Sequence, residues 1–513
     1  MEDRSLSDWL SGLSIASIVA PPSGVRTGAM NLIRQFARVA AACLLLPVEG
    51  CVQGPNYVKP NVSVPNTYRS AGAFLQSGPT VTRDHWWTAY GDRHLDALVE
   101  EALANNRDLR TATARVDEFA AILAGTKSQG LPQIGYDLSG NRARASEEKI
   151  PSFVAPKSTT FSALLSASWE IDLWGRIRRE TEAARANLFA TEEARRGVTL
   201  TLISSVIISY ITLLDLDEQL RVSEDTAAGR KESVDLFEKR LAAGWISEFE
   251  MAQVRSEYEL ALASLPPIRQ AIVTQENALS VLLGRNPGPI ERATPQELDR
   301  VHQLTVPAGL PSELLMRRPD ILQAEQQLIA SNALIGAARA LFFPRITLTG
   351  LFGFASGSLG SLFSGPARTW SFTGDAAGPI YTGGGLNAAV QQAEARREQS
   401  LNNYELVIQN AFRDVDDSLA AVQQSAELRD ALRQRVTTLT KGVELARARY
   451  ENGYSDYLEV LDTERSLFSA QLQLASARGD YQRALVNLYR ALGGDWTVLP
   501  STAATGQAGT KGK

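Results

Sequence analysis

The sequence predicts a mixed fold, in which membrane-type β-strands are joined to long coiled-coil helices in two tandem copies of one module. Three observations predict it. The second half of the 513-residue chain repeats the pattern of the first half. Each half contains two stretches in which apolar and polar residues alternate. Each pair of alternating stretches is followed by a helical pattern far longer than the helices of ordinary globular domains.

The N-terminal segment reads as an upstream extension followed by a secretory signal. Arg34 and Arg38 precede an apolar run, and the run closes just before Cys51. This layout favours Met30 as the true start. The ending resembles a bacterial lipoprotein signal, and the resemblance implies that Cys51 becomes the first residue and carries a covalent lipid. The alternative is a buried cysteine in an uncut chain.

Two halves of the chain share one order of elements, which indicates duplication of a whole module. The match aligns Arg240, Gly244 and Trp245 with Arg449, Gly453 and Tyr454. Prolines between the halves exclude a continuous helix there. The predicted segments are 1–50 for the extension and signal, 51–94 after the cysteine, 95–284 for the first module, 285–310 for a proline-rich linker, 311–494 for the second module and 495–513 for a disordered tail.

Each module is predicted to contribute two strands with one apolar face. Residues 132–142 and 161–173 alternate in the first module, with Phe161, Leu165 and Trp169 on one face of the second stretch. Strands of about ten residues with this pattern are typical of membrane barrels. The apolar set of the second module is Ile346, Leu348, Phe352, Phe354, Trp370, Phe372 and Ile380.

Four strands are too few to close a membrane barrel within one chain. Open strand edges cost several kcal/mol per unpaired backbone group in lipid, and a small closed barrel needs about 8 strands. The barrel must therefore be shared between subunits. Two copies would supply eight strands and three copies twelve, and the strand arithmetic leaves both open.

The long helical runs cover residues 176–240 and 385–449, and each would extend roughly 100 Å. In the second run, apolar residues recur at intervals of seven, which predicts coiled-coil packing. Arg429 falls on this stripe, and a shift of its flanking apolar line near there predicts a stutter. The stripe consists of Ile408, Val415, Val422, Val436, Val443 and Tyr450.

Three motifs, taken together, resemble the TolC-like outer-membrane efflux factors, in the lipoprotein branch that serves resistance-nodulation-division pumps. They are CVQGPNYVKP (51–60), LPSELLMRRPDILQAEQQLIASNALIGAARALFFPRITLTG (310–350) and GYSDYLEVLDTERSLFSAQ (453–471). The resemblance implies a lipid-anchored homotrimer in the bacterial outer membrane, with a twelve-stranded barrel and a twelve-helix periplasmic tunnel. It also implies two partners, a periplasmic adaptor protein and a proton-driven inner-membrane pump, which open the closed inner tip.

The candidate gate lies at the second hairpin tip. Leu458 and Asp462 are four residues apart and share a helix face. They match the family's leucine and aspartate constrictions, which implies a ring of Asp462 carboxylates that narrows the pore and attracts cations. Tyr450 matches the tyrosine that ties the closed tip in the family. The family's arginine is replaced here by Ser455.

Gly244 and Gly453 are predicted to end the two long helices, because glycine accepts the positive φ of a helix C-terminus. With Trp245 and Tyr454 beside them, they form the helix tips that the resemblance assigns to contacts with the adaptor.

Capping-box spacing recurs just after both tips. Ser247 stands three residues before Glu250, and Asp456 three before Glu459. Glu459 is therefore predicted to cap its helix mainly, and to add negative field at the pore. Asp462 aligns with neutral Gln253 and has no such structural explanation.

Other functional classes find little support in the sequence. A net charge of −5 argues against nucleic-acid binding. The histidines His85, His94 and His302 are scattered, no catalytic or metal-binding constellation appears, and no cofactor is predicted apart from the lipid on Cys51. The leading function is a passive drug-export channel. Type I protein secretion, metal-ion efflux and a poreless periplasmic coiled-coil scaffold are the alternatives.

Overall fold

The computed structural model describes residues 52–70, 85–146, 148, 156–294 and 311–494. The predicted signal, Cys51, His302 and the tail lie outside these residues. Within them, a 3₁₀ turn at Trp86–Tyr90 is followed by helices α1 (Arg93–Asn105) and α2 (Arg107–Ser128), strands β1 (Gln133–Arg144) and β2 (Lys157–Ile171), helices α3 (Arg176–Ala242), α4 (Glu248–Leu282), α5 (Pro311–Arg317) and α6 (Pro319–Ala340), strands β3 (Arg345–Ser356) and β4 (Arg368–Ala377), and helices α7 (Gly385–Glu451) and α8 (Tyr457–Ala491).

The two modules are built alike. Helices α3 and α7 have 67 residues each, α4 and α8 have 35 each, and α2 and α6 have 22 each. This equality confirms the tandem architecture. The limits of the linker, 285–310, stay a prediction because most of it lies outside the described residues.

The four strands form one antiparallel sheet in the order β1-β2-β3-β4. Paired residues share a face, and one row across the sheet is entirely apolar: Tyr136, Leu165, Phe352 and Trp370 are successive partners. Each of these side chains is more than half exposed. Within one chain, the sheet therefore presents an uncovered apolar face and two open edges.

One residue of the second module's predicted apolar set does not belong to a strand. Strand β4 ends at Ala377, and Ile380 lies beyond it, fully exposed. Pro379 has no N–H to continue the ladder, and an added Cβ on Gly378 would lie 2.8 Å from Pro344 Cα, so the chain turns away here.

The main core lies at the middle of the long helices, where α1 and the 3₁₀ turn pack against α3, α7 and α8. Trp86 stacks on Tyr489 with 4.6 Å between ring centroids, and the Tyr210 hydroxyl donates to Asp92. One stretch of α3 is long and apolar enough to cross a membrane, but half of it is buried. Ile207 and Ile211 of this helix belong to the core.

The heptad stripe of α7 is buried where it meets its neighbours. Val415 and Val422 are fully buried in the main core, and Val443 is buried nearer the tip. Arg429 is accommodated on the stripe because its guanidinium lies 4.3 Å from the centroid of the Tyr481 ring. The stutter itself stays a prediction.

Candidate gate at the helical tip

Each helical hairpin turns through a glycine. Gly244 and Gly453 have φ values of 73° and 74°. This left-handed conformation lets the N–H groups of Trp245 and Tyr454 reach back to the carbonyl five residues earlier, at 2.9 and 2.8 Å. The next side chains project from the tip, since Trp245 is 77% and Tyr454 78% exposed. Their contact with an adaptor stays a prediction.

The two helix starts after the tips are capped differently. Ser247 and Glu250 form a reciprocal capping box, with bonds of 3.2 and 2.7 Å to each other's N–H. The Asp456 side chain makes no such bond. Glu459 instead pairs with Arg449 of α7 at 3.3 Å. The predicted second capping box is therefore wrong, because the guanidinium across the hairpin attracts the carboxylate more strongly than a neutral N–H does.

Leu458 and Asp462 lie together on the exposed face of α8. Leu458 is 54% exposed, and the Asp462 side chain is 75% exposed. The nearest cation to Asp462 is Arg465, whose Nη1 lies 3.9 Å from a carboxylate oxygen. One chain thus leaves an apolar side chain and a weakly paired carboxylate facing outward on the same helical face.

Tyr450 ties the end of α7 to the end of α3. Its hydroxyl accepts a hydrogen bond of 2.7 Å from Arg240 Nη1. The same guanidinium lies 5.6 Å from the Tyr450 ring centroid and 5.2 Å from that of Phe237. The sequence predicted the role of the tyrosine, but the family resemblance put its arginine partner at position 455, where this chain has Ser455. The repeat could have indicated Arg240, because this residue aligns with Arg449, the neighbour of Tyr450 in the sequence.

A buried ionic network joins three helices just above the tip. Glu257 of α4 lies 3.2 Å from Arg230 of α3 and accepts a bond of 3.0 Å from Arg465 Nε of α8. Glu257 and Arg230 are both buried. Burial lowers the pKa of Arg230, and the bond to Glu257 raises the pKa of Arg465. Arg465 also faces Asp462, so the network ends at the candidate gate.

Sequence reasoning missed this network. Its three members have neutral counterparts in the other module: Leu439 aligns with Arg230, Ser466 with Glu257 and Ser256 with Arg465. A charged residue whose counterpart in the other module is neutral could therefore have pointed to this network. Only Asp462 was selected by that criterion.

The two histidines within the described residues occupy ordinary structural positions. The His85 ring lies 5.1 Å from Trp87, and His94 lies in the first turn of α1. Among the residues that the structure describes, no three His, Cys, Asp or Glu side chains are grouped so that they could hold a metal ion.

Both modules match a known protein family. Residues 98–285 and 310–494 both match the family model described as outer membrane efflux protein. Cation efflux system protein CusC of Escherichia coli O6:H1 is 36% identical over 457 residues, which cover 88% of this chain and 98% of CusC. Solvent efflux pump outer membrane protein SrpC of Pseudomonas putida is 35% identical over 459 residues, covering 88% and 97%.

The solved structures agree with the sequence relatives. The CmeC outer membrane channel of Campylobacter jejuni superposes with a TM-score of 0.80 at 25% identity, covering 87% of this chain and 95% of CmeC. Both modules match, the long helices and the four-stranded sheet match, and the chain therefore belongs to the outer membrane efflux protein family, the TolC-like channels of the bacterial outer membrane.

Proposed function

We propose that three copies of this chain form one gated conduit, which a periplasmic adaptor and a proton-driven inner-membrane pump open to export small toxic compounds. The chain is an outer-membrane efflux channel protein that extends into the periplasm, and channels of its family are trimers that work in tripartite efflux systems. The open sheet supports the homotrimer, the contacts at the helical tip support the gate, and the exposed aromatic residues of the tip support the partners.

The uncovered sheet is the main support for a barrel shared by three chains. Its apolar row and its two unpaired edges need both lipid and further strands, because unpaired backbone groups are costly in hydrocarbon. Pairing β1 of one protomer with β4 of the next closes a twelve-stranded barrel in a trimer. A periplasmic scaffold has no use for such a face, which disfavours the alternative without a pore.

The closed gate is a ring of Leu458 and Asp462 from three chains. The Tyr450–Arg240 bond and the Glu257–Arg465 pair hold the α7/α8 hairpin against the α3/α4 hairpin. Opening requires these links to break, so that the second hairpin can move away from the pore axis. Three like carboxylates at the narrowest point favour cations.

The hairpin tips receive the adaptor. Trp245 and Tyr454 present exposed aromatic surface on rigid glycine turns. Aromatic side chains on a well-ordered turn provide large contact area at low entropic cost, which is typical of interaction hot spots.

The cargo is proposed as drugs or other small toxic compounds, chosen by the pump. CusC is named for cation efflux and SrpC for solvent efflux, and both are nearly equally similar to this chain. Similarity to CusC keeps metal-ion export as the second candidate. The sequence has only four methionines, too few for a soft-metal pathway along the tunnel.

The gate is tested with the variant Asp462→Ala in planar bilayers. We expect a larger single-channel conductance and a lower preference for cations, because the carboxylate ring is removed. Gln253→Ala, at the equivalent position of the other module, is the matched control. If Asp462→Ala retains the conductance and cation preference of the wild type, the ring does not gate the pore.

A further inference from the structure

The two ends of the sheet face different sides of the membrane. Helices α2 and α6 lead into β1 and β3, while β2 and β4 lead into α3 and α7. All of these helices therefore join the same end of the sheet. Because the chain extends into the periplasm, the other end, with the β1–β2 and β3–β4 connections, faces the outside of the cell. We call it the extracellular end.

Basic residues occupy the extracellular end of the apolar face, which is the face that carries the row from Tyr136 to β4. In β1, Arg142 and Arg144 lie on the same face as Tyr136, and Arg144 pairs with Lys157 of β2. Arg368 is the first residue of β4, two residues before the apolar row, so it also lies on this face. All four basic residues are exposed. We call Arg142, Arg144, Lys157 and Arg368 the basic collar.

The two faces of the sheet differ in the sign of their charges. The acidic residues of the four strands, Asp137, Glu170 and Asp375, all lie on the face opposite the collar, and so does Arg345, the remaining basic residue of the strands. Glu148 lies in the connection after β1, outside the strands. Surfaces that face only water usually mix the two signs. The separation by face therefore indicates that the apolar face meets a surface that carries negative charge.

Aromatic residues of the apolar face reach up to the collar. Phe161 occupies the next row of this face below Arg142. Phe363 of the β3–β4 connection folds back edge to face on Phe354, with 5.5 Å between ring centroids, and Phe354 is the strand partner of Arg368. A lipid-facing charge is costly near the middle of a bilayer and nearly without cost at its interface. The change from phenylalanine to arginine therefore marks the collar as the level of the lipid headgroups.

We propose that the basic collar binds the phosphate groups of a phosphorylated glycolipid in the outer leaflet, while the acyl chains of this lipid pack on the apolar rows below. The outer leaflet of a bacterial outer membrane consists largely of such glycolipids, whose phosphates lie at the headgroup level. A guanidinium and a phosphate form paired, charge-assisted hydrogen bonds. Arg142, Arg144 and Lys157 supply three cations from two adjacent strands of one chain.

A second part of the site would form at the seam between protomers, and this part rests on the proposed function. Pairing of β4 with β1 of the next protomer would place Arg368 on the strand beside that protomer's arginines. One glycolipid with two phosphates could then contact both chains. The bound lipid would thereby stabilise the trimer at the open edges of the sheet.

Binding of lipid A, a phosphorylated glucosamine disaccharide lipid, to the detergent-solubilised trimer tests the collar. We expect Arg142→Gln and Lys157→Gln each to weaken the affinity roughly fivefold, because each removes one basic residue near a charged surface. The double variant should lose roughly 25-fold. Arg142→Lys keeps the charge and should bind more tightly than Arg142→Gln.

Arg345→Gln is the matched control. It removes one positive charge from the same sheet, but on the opposite face and at the periplasmic end. Its affinity for lipid A should equal that of the wild type. Equal affinities of wild type, Arg142→Gln and Lys157→Gln, or an equal loss in Arg345→Gln, would overturn the collar.

Two further ligands identify what the collar recognises. Lipid A without its phosphates should bind the wild type no more tightly than it binds the double variant, and full affinity for it would show that only the acyl chains are recognised, which would overturn the proposal. Inorganic phosphate should leave lipid A bound, and displacement would reduce the collar to a simple anion site. Absence of heat-stable trimers in the wild type would contradict the proposed conduit, whereas heat-stable trimers whose affinity for lipid A is independent of Arg142 and Lys157 would overturn this inference alone.

Discussion

The bond between Tyr450 and Arg240 gives the sharpest test of the proposed gate. Tyr450→Phe removes the hydroxyl that accepts from Arg240 at 2.7 Å but keeps the ring that packs near Phe237 and Tyr457. The substitution therefore deletes one hydrogen bond and changes little of the packing. We expect it to favour the open tip.

The magnitude follows from the bond type and its surroundings. A hydrogen bond to a charged group contributes about 1.5–3 kcal/mol, and Tyr450 is only half buried, which favours the lower value. Three protomers opening together would lose about 4.5 kcal/mol, a shift of roughly 10³ in the ratio of closed to open channels. Opening of one protomer at a time would give about tenfold per latch.

Single-channel recording in planar bilayers measures this shift as the fraction of time spent in the high-conductance state. Tyr454→Phe is the matched control, since this exposed tyrosine lies at the same tip and no hydrogen bond of its hydroxyl occurs among the described residues. Arg240→Gln should open the channel likewise, and the double variant should add little to either single change. A wild-type open fraction in Tyr450→Phe would show that this bond does not hold the gate.

Three further predictions concern the stability of the proposed trimer, measured as its melting temperature on gels of heated samples. Glu257→Gln should destabilise each chain by about 3 kcal/mol, because buried Arg230 loses its carboxylate. Gly284→Ala should prevent folding, since its Cβ would lie 2.3 Å from a carbonyl oxygen of α1, whereas Gly244→Ala, with open space around it, should cost only about 1 kcal/mol of left-handed strain. Burial raises the pKa of the Asp215 carboxyl, so the folded protein binds this proton more tightly than the unfolded chain does. The stability that the proton contributes is therefore complete below the ordinary pKa of about 4, and it is lost as the pH rises through the raised pKa. Asp215→Asn should abolish that part of the pH dependence.

The architecture was predictable because it follows from periodicity. Alternation with period two marked the strand faces, and the seven-residue recurrence through Val415 and Val422 marked the buried side of α7. Each signal is local and is repeated in the second module. The error at Ile380 arose where the alternation continued past a proline that the backbone could not accommodate in a strand.

The contacts of the site were harder to predict, because they depend on which helices are neighbours. Glu459 has the spacing of a cap, yet it pairs with Arg449 across the hairpin. Tyr450 finds its arginine in the other module, at Arg240, rather than close by in sequence. A single sequence without a three-dimensional arrangement cannot choose between a local and a distant partner of equal chemical merit.

The contacts at the tip suggest how a duplicated chain can make a gate. Arg240 and Arg449 are equivalent residues, but the first binds Tyr450 and the second binds Glu459. Leu241, the counterpart of Tyr450, has no hydroxyl with which to return the bond. Six identical hairpins would surround the pore equivalently, so that no three of them could close it alone. In the proposed trimer, loss of equivalence at these few positions would let one hairpin of each chain serve as a fixed support and the other as the moving part.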